Sequence, residues 1–528
     1  MPKTKTITIE KPLGGLISAY LSSATGPTAS LEGNRDQYSY AVAISPLRTE
    51  KFGDIAPGET FTAITDSSSY ITGLVLNGDV ARSNNAFVIQ KGGRVIRLNT
   101  DGNSTQDYIA PIAHGGQTLQ TTVDVDMIIV GDNASNEYVI ATWTDDGGAD
   151  AMVFRPGTTA FTDFDPDWFS QGNSANYLAP LIPHKITQGP DGNIYITNGQ
   201  YIASATMGNG VSLGAATRNT QALNVGAGFY TVGITNYQDS LAIIGHKKLS
   251  GSTNIPRSIC RVWLWKGFNP DPDFIYNIED NFANGIFHDG ETLWAFTNGR
   301  TNSSRLWRFN GQKFEMVFES GMIIPSANFT QGGVDKWRNS IHIASSMGSS
   351  TKGHIFSILQ NGSVHPTMLV TNGTNEATEV GMFRNLYQGQ IWIGVVASGN
   401  KIYYTSNFDG YYPNAELITP LYTRYDDGSP IRRGKIKKIH LWFSQFGTGA
   451  SLKLSFFKGY DAKASGTDWL NKTLTNTTLG ALKYYSFEVS IDDFDSFYAK
   501  LLFNHSSVSN TAAIVKRVVF ECEEVDTY

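Results

Sequence analysis

A chain of 528 residues exceeds what one ordinary core supports, so it requires several domains or a repeat that spreads its core out. With 17% charged residues, a net charge of -6 and 53 glycines, the composition excludes a helix-rich protein and argues against a general nucleic-acid binder, which needs a concentrated basic surface. The two cysteines, Cys260 and Cys522, are too far apart in sequence to make a disulfide framework the organising device.

The opening, MPKTKTITIEKPLGG, lacks the continuous apolar core of a signal peptide, and no run approaches the ~18 apolar residues of a membrane span. Synthesis in the cytoplasm and no membrane span are therefore expected. Residues 1–57 hold one apolar stretch, Leu13 to Leu21, and then YAVAISPLRTEKFGDIAPG, which reads as an N-terminal arm leading into the first repeat. A strand that completes the last repeat is an equally good reading of the same residues.

From about Gly53 to Gly410 one pattern returns: a loop rich in Asn, Asp and Gly, a β-branched or aromatic strand, a tight turn and another strand. ITQGPDGNIYITNGQYIASA and FHDGETLWAFTNGRTNSSRLWRFNGQKFEMV are clear instances. About seven such units, at roughly 40–50 residues each, predict an all-β protein with an about seven-bladed β-propeller over residues 58–412. Asp191-Gly192, Asn310-Gly311 and Asn361-Gly362 supply the residues that tolerate positive φ at hairpin turns. Beyond a linker containing Pro413 and Pro420 the texture changes to longer alternating strands, IKKIHLWF, SLKLSFF, YYSFEVSI, FYAKLLF and AAIVKRVVFECEEV. These predict a C-terminal β-sandwich or jelly roll over residues 413–528.

The sequence carries no GxSxG elbow, HExxH, Walker-type loop or paired CxxC, and its nine histidines are scattered singly. No enzyme activity, cofactor or metal is expected. The acidic turns FTDFDPDW (Asp163, Asp165, Asp167) and NPDPDF (Asp271, Asp273) offer hard oxygen atoms but lack EF-hand spacing, so they read as solvated turns. Most tryptophans, among them Trp143, Trp168, Trp263, Trp265, Trp294 and Trp307, read as core. Tyr411 and Tyr412, in a polar loop, are the candidate glycan contacts, because a flat ring stacks on the face of a sugar. Arg432, Arg433, Lys435, Lys437 and Lys438 lead into the strand Ile439-His440-Leu441-Trp442-Phe443 and are the candidate partner-binding cluster, for an acidic partner or a DNA conduit. A solvated strand edge guarded by lysine explains the same residues.

Two stretches, YSYAVAISPLRTEKFGDIAPGETF and ITPLYTRYDDGSPIRRGKIKKIHLWFSQFGTGASLKLSFF, resemble virion proteins of tailed phages built as a propeller followed by a β-sandwich. In that group the entry segment commonly reads as a strand, then Pro, a basic residue and Pro-Gly, here Pro46, Arg48, Pro57 and Gly58. The second segment commonly has a paired basic run before a hydrophobic strand, here Arg432-Arg433 and Lys437-Lys438. The layout is also similar to the tail hub or nozzle proteins of short-tailed phages. The resemblance implies a non-enzymatic virion structural protein, a tail or neck component that assembles as a ring. Its implied partners are copies of itself and other tail or neck proteins, with genomic DNA passing through a channel and a host-surface glycan as further candidates. The alternative is a glycan-binding or glycan-cleaving propeller used for host attachment.

Overall fold

The computed structural model describes the strands and bridges within residues 4–118, then residues 126–131, 137–144, 148–154, 164–180, 182–206, 217–247, 259–299, 304–320, 334–337, 340–347, 352–370, 379–385, 390–396, 402–405, 414–458, 470–475, 483–505 and 512–525. Among the described residues no helix is long and apolar enough to cross a membrane.

Seven four-stranded antiparallel sheets follow one another in the middle of the chain. Blade 1 runs from Leu74–Val75 to Thr105–Ile109, blade 2 from Met127–Gly131 to Phe164–Asp165, blade 3 from Ile186–Gln188 to Arg218–Asn224, and blade 4 from Phe229–Tyr237 to Phe274–Ile278. Blade 5 runs from Phe282–His288 to Phe314–Ser320, and blade 6 from Val334–Trp337 to Val364–Val370. Blade 7 takes three strands from Glu379–Asn385, Gln390–Val396 and Ile402–Thr405, and its fourth, Thr62–Ala63, from the far end of the chain. The first strands of blades 2, 3, 4 and 5 lie beside one another in turn, as do those of blades 6, 7 and 1. This is the radial stacking of a propeller, closed by a strand from the N-terminal side.

The repeated wording has a physical basis in the turn and second strand, seen in blades 3 and 5. Asp191 accepts the Asn193 N–H at 3.1 Å and the Tyr195 hydroxyl at 2.7 Å; Asp289 accepts the Glu291 and Thr292 N–H groups and the Trp294 indole N–H at 3.1 Å. Each aspartate thus folds its turn and fixes the aromatic that follows it, both of which are buried. In the same strands of blades 2, 3 and 5 a buried threonine ties the second strand to the segment that opens a blade. Thr142 donates to the His184 carbonyl at 2.8 Å, Thr197 accepts the Lys185 N–H at 2.8 Å, and Thr297 donates to Asp280. Gly192, Gly311 and Gly362 have φ of +81°, +92° and +85°, as their turns demand.

The sandwich is made by both ends of the chain. One sheet has the order Thr4–Glu10, Ala513–Glu524, Gly434–Phe446, Tyr484–Phe494; the other has Leu470–Thr475, Ala450–Lys458, Phe497–His505, Glu416–Ile418, Tyr40–Val42. Thr4–Glu10 and Tyr40–Val42 are therefore strands of the sandwich and not parts of a free arm. TKTITIE alternates so that Ile7 and Ile9 turn inward and are buried, and Ile55 bridges Val515 through N–H···O bonds of 2.8 and 3.0 Å. The strand that completes blade 7 comes just after this segment, so the propeller is an insertion between strands of the sandwich.

Phe456, Phe497 and Phe520 anchor the core between the sheets, with Phe456 and Phe497 stacked at 4.3 Å. That core is continuous with Trp294 and Phe296 of blade 5 and Ile341, Ile343, Phe356 and Ile358 of blade 6. The Ile44 N–H donates to the Pro366 carbonyl at 3.1 Å along the same seam. Sandwich and propeller share one apolar cluster.

Candidate functional site

The basic run does not lie on a sheet edge. Gly434–Phe446 is an inner strand, hydrogen-bonded to Ala513–Glu524 on one side and Tyr484–Phe494 on the other. Arg432 and Arg433 are exposed in the turn before it, Lys437 is exposed, and Lys435 and Lys438 are half-buried. Acidic residues on the neighbouring strands face them: Lys435 pairs in register with Glu523, Lys438 with Glu521 and Glu488, and Lys437 is ion-paired to Glu523. The sequence ECEE near the end of the chain thus supplies counter-charges that the reading as an edge or DNA-facing cluster omits. Tyr411 and Tyr412 lie outside the described residues.

The outward face of this sheet is ordered in rows across four strands. Glu10, Arg517, Trp442 and Tyr484 form one row; Thr8, Val519, His440 and Ser486 the next; Thr6, Glu521, Lys438 and Glu488 the third. Ile439, Leu441 and Phe443 point the other way and are buried. On the outer face the His440 ring stacks with Trp442 at 5.9 Å and with Tyr484 at 6.1 Å, while Trp442 and Tyr484 are 5.1 Å apart. His440 is held from both ends, Nδ1 lying 2.8 Å from the Tyr484 hydroxyl and Nε2 3.1 Å from Glu521 Oε2. The Arg517 guanidinium sits 5.5 Å from the Trp442 ring and bonds Glu10 at 3.2 Å. Tyr484 is 43% exposed. Sequence reasoning passed over Trp442 and Tyr484, although the alternation of IHLWF puts His440 and Trp442 on one face with Leu441 on the other.

In the propeller, Asp150 has the property a general acid needs: burial pushes its carboxyl up to about 6. It is fully buried, and its Oδ1 accepts N–H bonds from Ala151 at 2.7 Å, Ser170 at 3.0 Å and Phe169 at 3.1 Å, so it organises the turn after blade 2. A carboxyl whose pKa is higher folded than unfolded is stabilising in its protonated form, and that contribution disappears as pH rises from about 4 to 6. From the ordinary value of 3.8 the change amounts to about 3 kcal/mol. Relative to Asp150→Asn, the wild-type chain is expected to lose that stability between pH 4 and pH 6, read as parallel denaturation series; equal slopes would refute the assignment.

The other acidic turns are also engaged. Asp165 accepts the Asp167 N–H at 3.0 Å, and Asp273 accepts the Lys266 N–H at 2.9 Å and the Asn269 side-chain amide at 3.3 Å. Asp163 lies outside the described residues. Among the described residues no group of three or more His, Cys, Asp or Glu is placed to hold a metal ion. Trp143, Trp168, Trp263, Trp265 and Trp294 are fully buried core residues.

No protein-family model matches the chain, and no curated protein matches it. Among solved structures, it is similar to the β-propeller domain of Cps50 (Swd1) from Myceliophteria thermophila, at 9% identity and a TM-score of 0.44, over 66% of this chain and 99% of that one. It is also similar to an exo-β-1,3-galactanase from Phanerochaete chrysosporium, at 11% identity and a TM-score of 0.29, over 87% of this chain and 98% of that one.

Proposed function

We propose that this chain is a non-enzymatic structural protein of a tailed-phage virion, a tail or neck component of hub or nozzle type that assembles as a ring with copies of itself and other virion proteins. The observation that supports this reading is the way both chain ends are knitted into one sandwich, which then shares a core with blades 5 and 6. A shared core of this kind suits an assembly component, which has to pass load between its neighbours. The buried carboxylates Asp126, Asp150 and Asp280 fit a structural role, since each accepts hydrogen bonds from the blades around it. DNA is the weaker of the candidate partners for the basic strand, because Glu521 and Glu523 lie across from its lysines.

The test is light scattering of the purified chain, alone and mixed with the structural proteins encoded beside it. Masses at multiples of the protomer, or a joint species with a neighbouring gene product, are expected, with interfaces of about 2,000 Å² or more. A monomer that stays inert in every mixture overturns the reading.

A further inference from the structure

We propose that the outer face of the sandwich sheet carrying Tyr484, Trp442, His440 and Arg517 binds a neutral, pyranose-containing glycan. The exposed Tyr484 ring, backed by Trp442 and His440, would take the flat C–H face of a sugar, and Arg517, Glu10 and Glu521 its hydroxyl groups. The site stands on the sheet's outward face and does not depend on the assembly reading, so either can fail alone.

Three features select this ligand class. The first is fixed ring geometry. His440 is bonded to the Tyr484 hydroxyl and to Glu521, so the three rings are set before any ligand arrives and little side-chain entropy remains to be lost. The second is charge balance. Arg517 is matched by Glu10 and Lys437 by Glu523, and Lys438 lies in register between Glu521 and Glu488, which leaves many hydrogen-bonding groups and a small net field. Such a face complements a neutral polyol and offers little to a polyanion, whose binding needs unmatched cations.

The third is the shortage of exposed apolar surface. Tyr484 is the exposed large hydrophobic side chain among the three rows, whereas a lasting protein interface needs an apolar centre. Among the described residues the other exposed large hydrophobics are Ile259, Phe268, Phe274 and Ile275, on or beside blade 4, and Val525 beyond the end of its strand. A flat ring bordered by paired donors and acceptors is the surface that a sugar, apolar on its faces and polar at its rim, can cover while every polar group stays bonded.

The experiment is native electrophoresis of the full chain through gels that each contain one neutral polysaccharide: laminarin, hydroxyethyl cellulose, dextran, galactomannan and β-galactan. A heparin gel serves as the anionic comparison. Retardation is expected in at least one neutral gel, with affinity reduced about tenfold or more in Tyr484→Ala and in Trp442→Ala and reduced less in Tyr484→Phe, which keeps the ring but loses the bond to His440. Tyr484→Ala alone suffices if Trp442→Ala does not fold, because Tyr484 is exposed. Free migration in all neutral gels, retardation by heparin alone, or retardation unchanged in Tyr484→Ala overturns the proposal. So does a change of oligomer mass in Tyr484→Ala with no change in the gels, which would make the face a contact between copies.

Discussion

Ile7→Asp is expected to cost the sandwich about 4 kcal/mol or more, although position 7 lies in a segment that reads from sequence as an arm. Ile7 is fully buried, on a strand whose seven residues all pair with Ala513–Glu524. The substitution removes a buried branched side chain and puts a carboxylate among Ile439, Leu441 and Phe520 of the same core. Detaching the strand would also uncover the edge of Ala513–Glu524, an invitation to aggregation. Limited proteolysis followed by mass spectrometry checks this: new cuts should appear after residue 413, while the blades stay resistant. Ile7→Val, which keeps most of the volume, should cost about 1 kcal/mol. If Ile7→Asp leaves the C-terminal region as resistant as wild type, the strand assignment is wrong.

Asp280→Ala should be comparably damaging, at about 3–5 kcal/mol, for a different reason. Asp280 is fully buried just before blade 5 and is the hub of a polar network. It accepts the Thr297 hydroxyl, the Trp307 indole N–H at 3.0 Å and Arg305 Nη1 at 2.5 Å, while Arg305 also bonds Glu319 at 2.9 Å. Removing the carboxylate leaves the buried Thr297 hydroxyl short of its acceptor, the Trp307 indole N–H with Thr297 Oγ1 at 2.8 Å alone, and one guanidinium short of half its countercharge. The loss should appear as a lower urea midpoint in tryptophan emission. Lys437→Ala, which breaks an exposed pair, should change stability by less than about 1 kcal/mol. Equal midpoints for Asp280→Ala and Lys437→Ala would refute the network's role.

The blades were legible because their signals are local. In ITQGPDGNIYITNG the turn, the aromatic and the threonine lie within a few residues of one another, and the hydrogen bonds of the turn and the aromatic are equally short-range in sequence. The sandwich strands were legible through alternation alone. What alternation does not encode is the partner: Thr6-Ile7-Thr8-Ile9 shows a half-buried strand, but the strand it joins lies some 500 residues away. The basic strand misled for the same reason. Lysines on a strand suggest an edge until Glu521 and Glu523 are brought alongside, and only the fold does that. Trp442 shows the converse, since its facing was readable from Leu441 and Phe443, but its partners Arg517 and Tyr484 come from two other strands.

The propeller and the sandwich, joined through one core, are proposed to serve as a repeating part of a virion. Negative-stain electron microscopy of the chain mixed with the structural proteins encoded beside it tests this most directly. Propeller discs repeated about a common axis, each carrying its sandwich in one fixed orientation, are the predicted result. A field of single discs, unattached to any neighbour in every mixture, would contradict it.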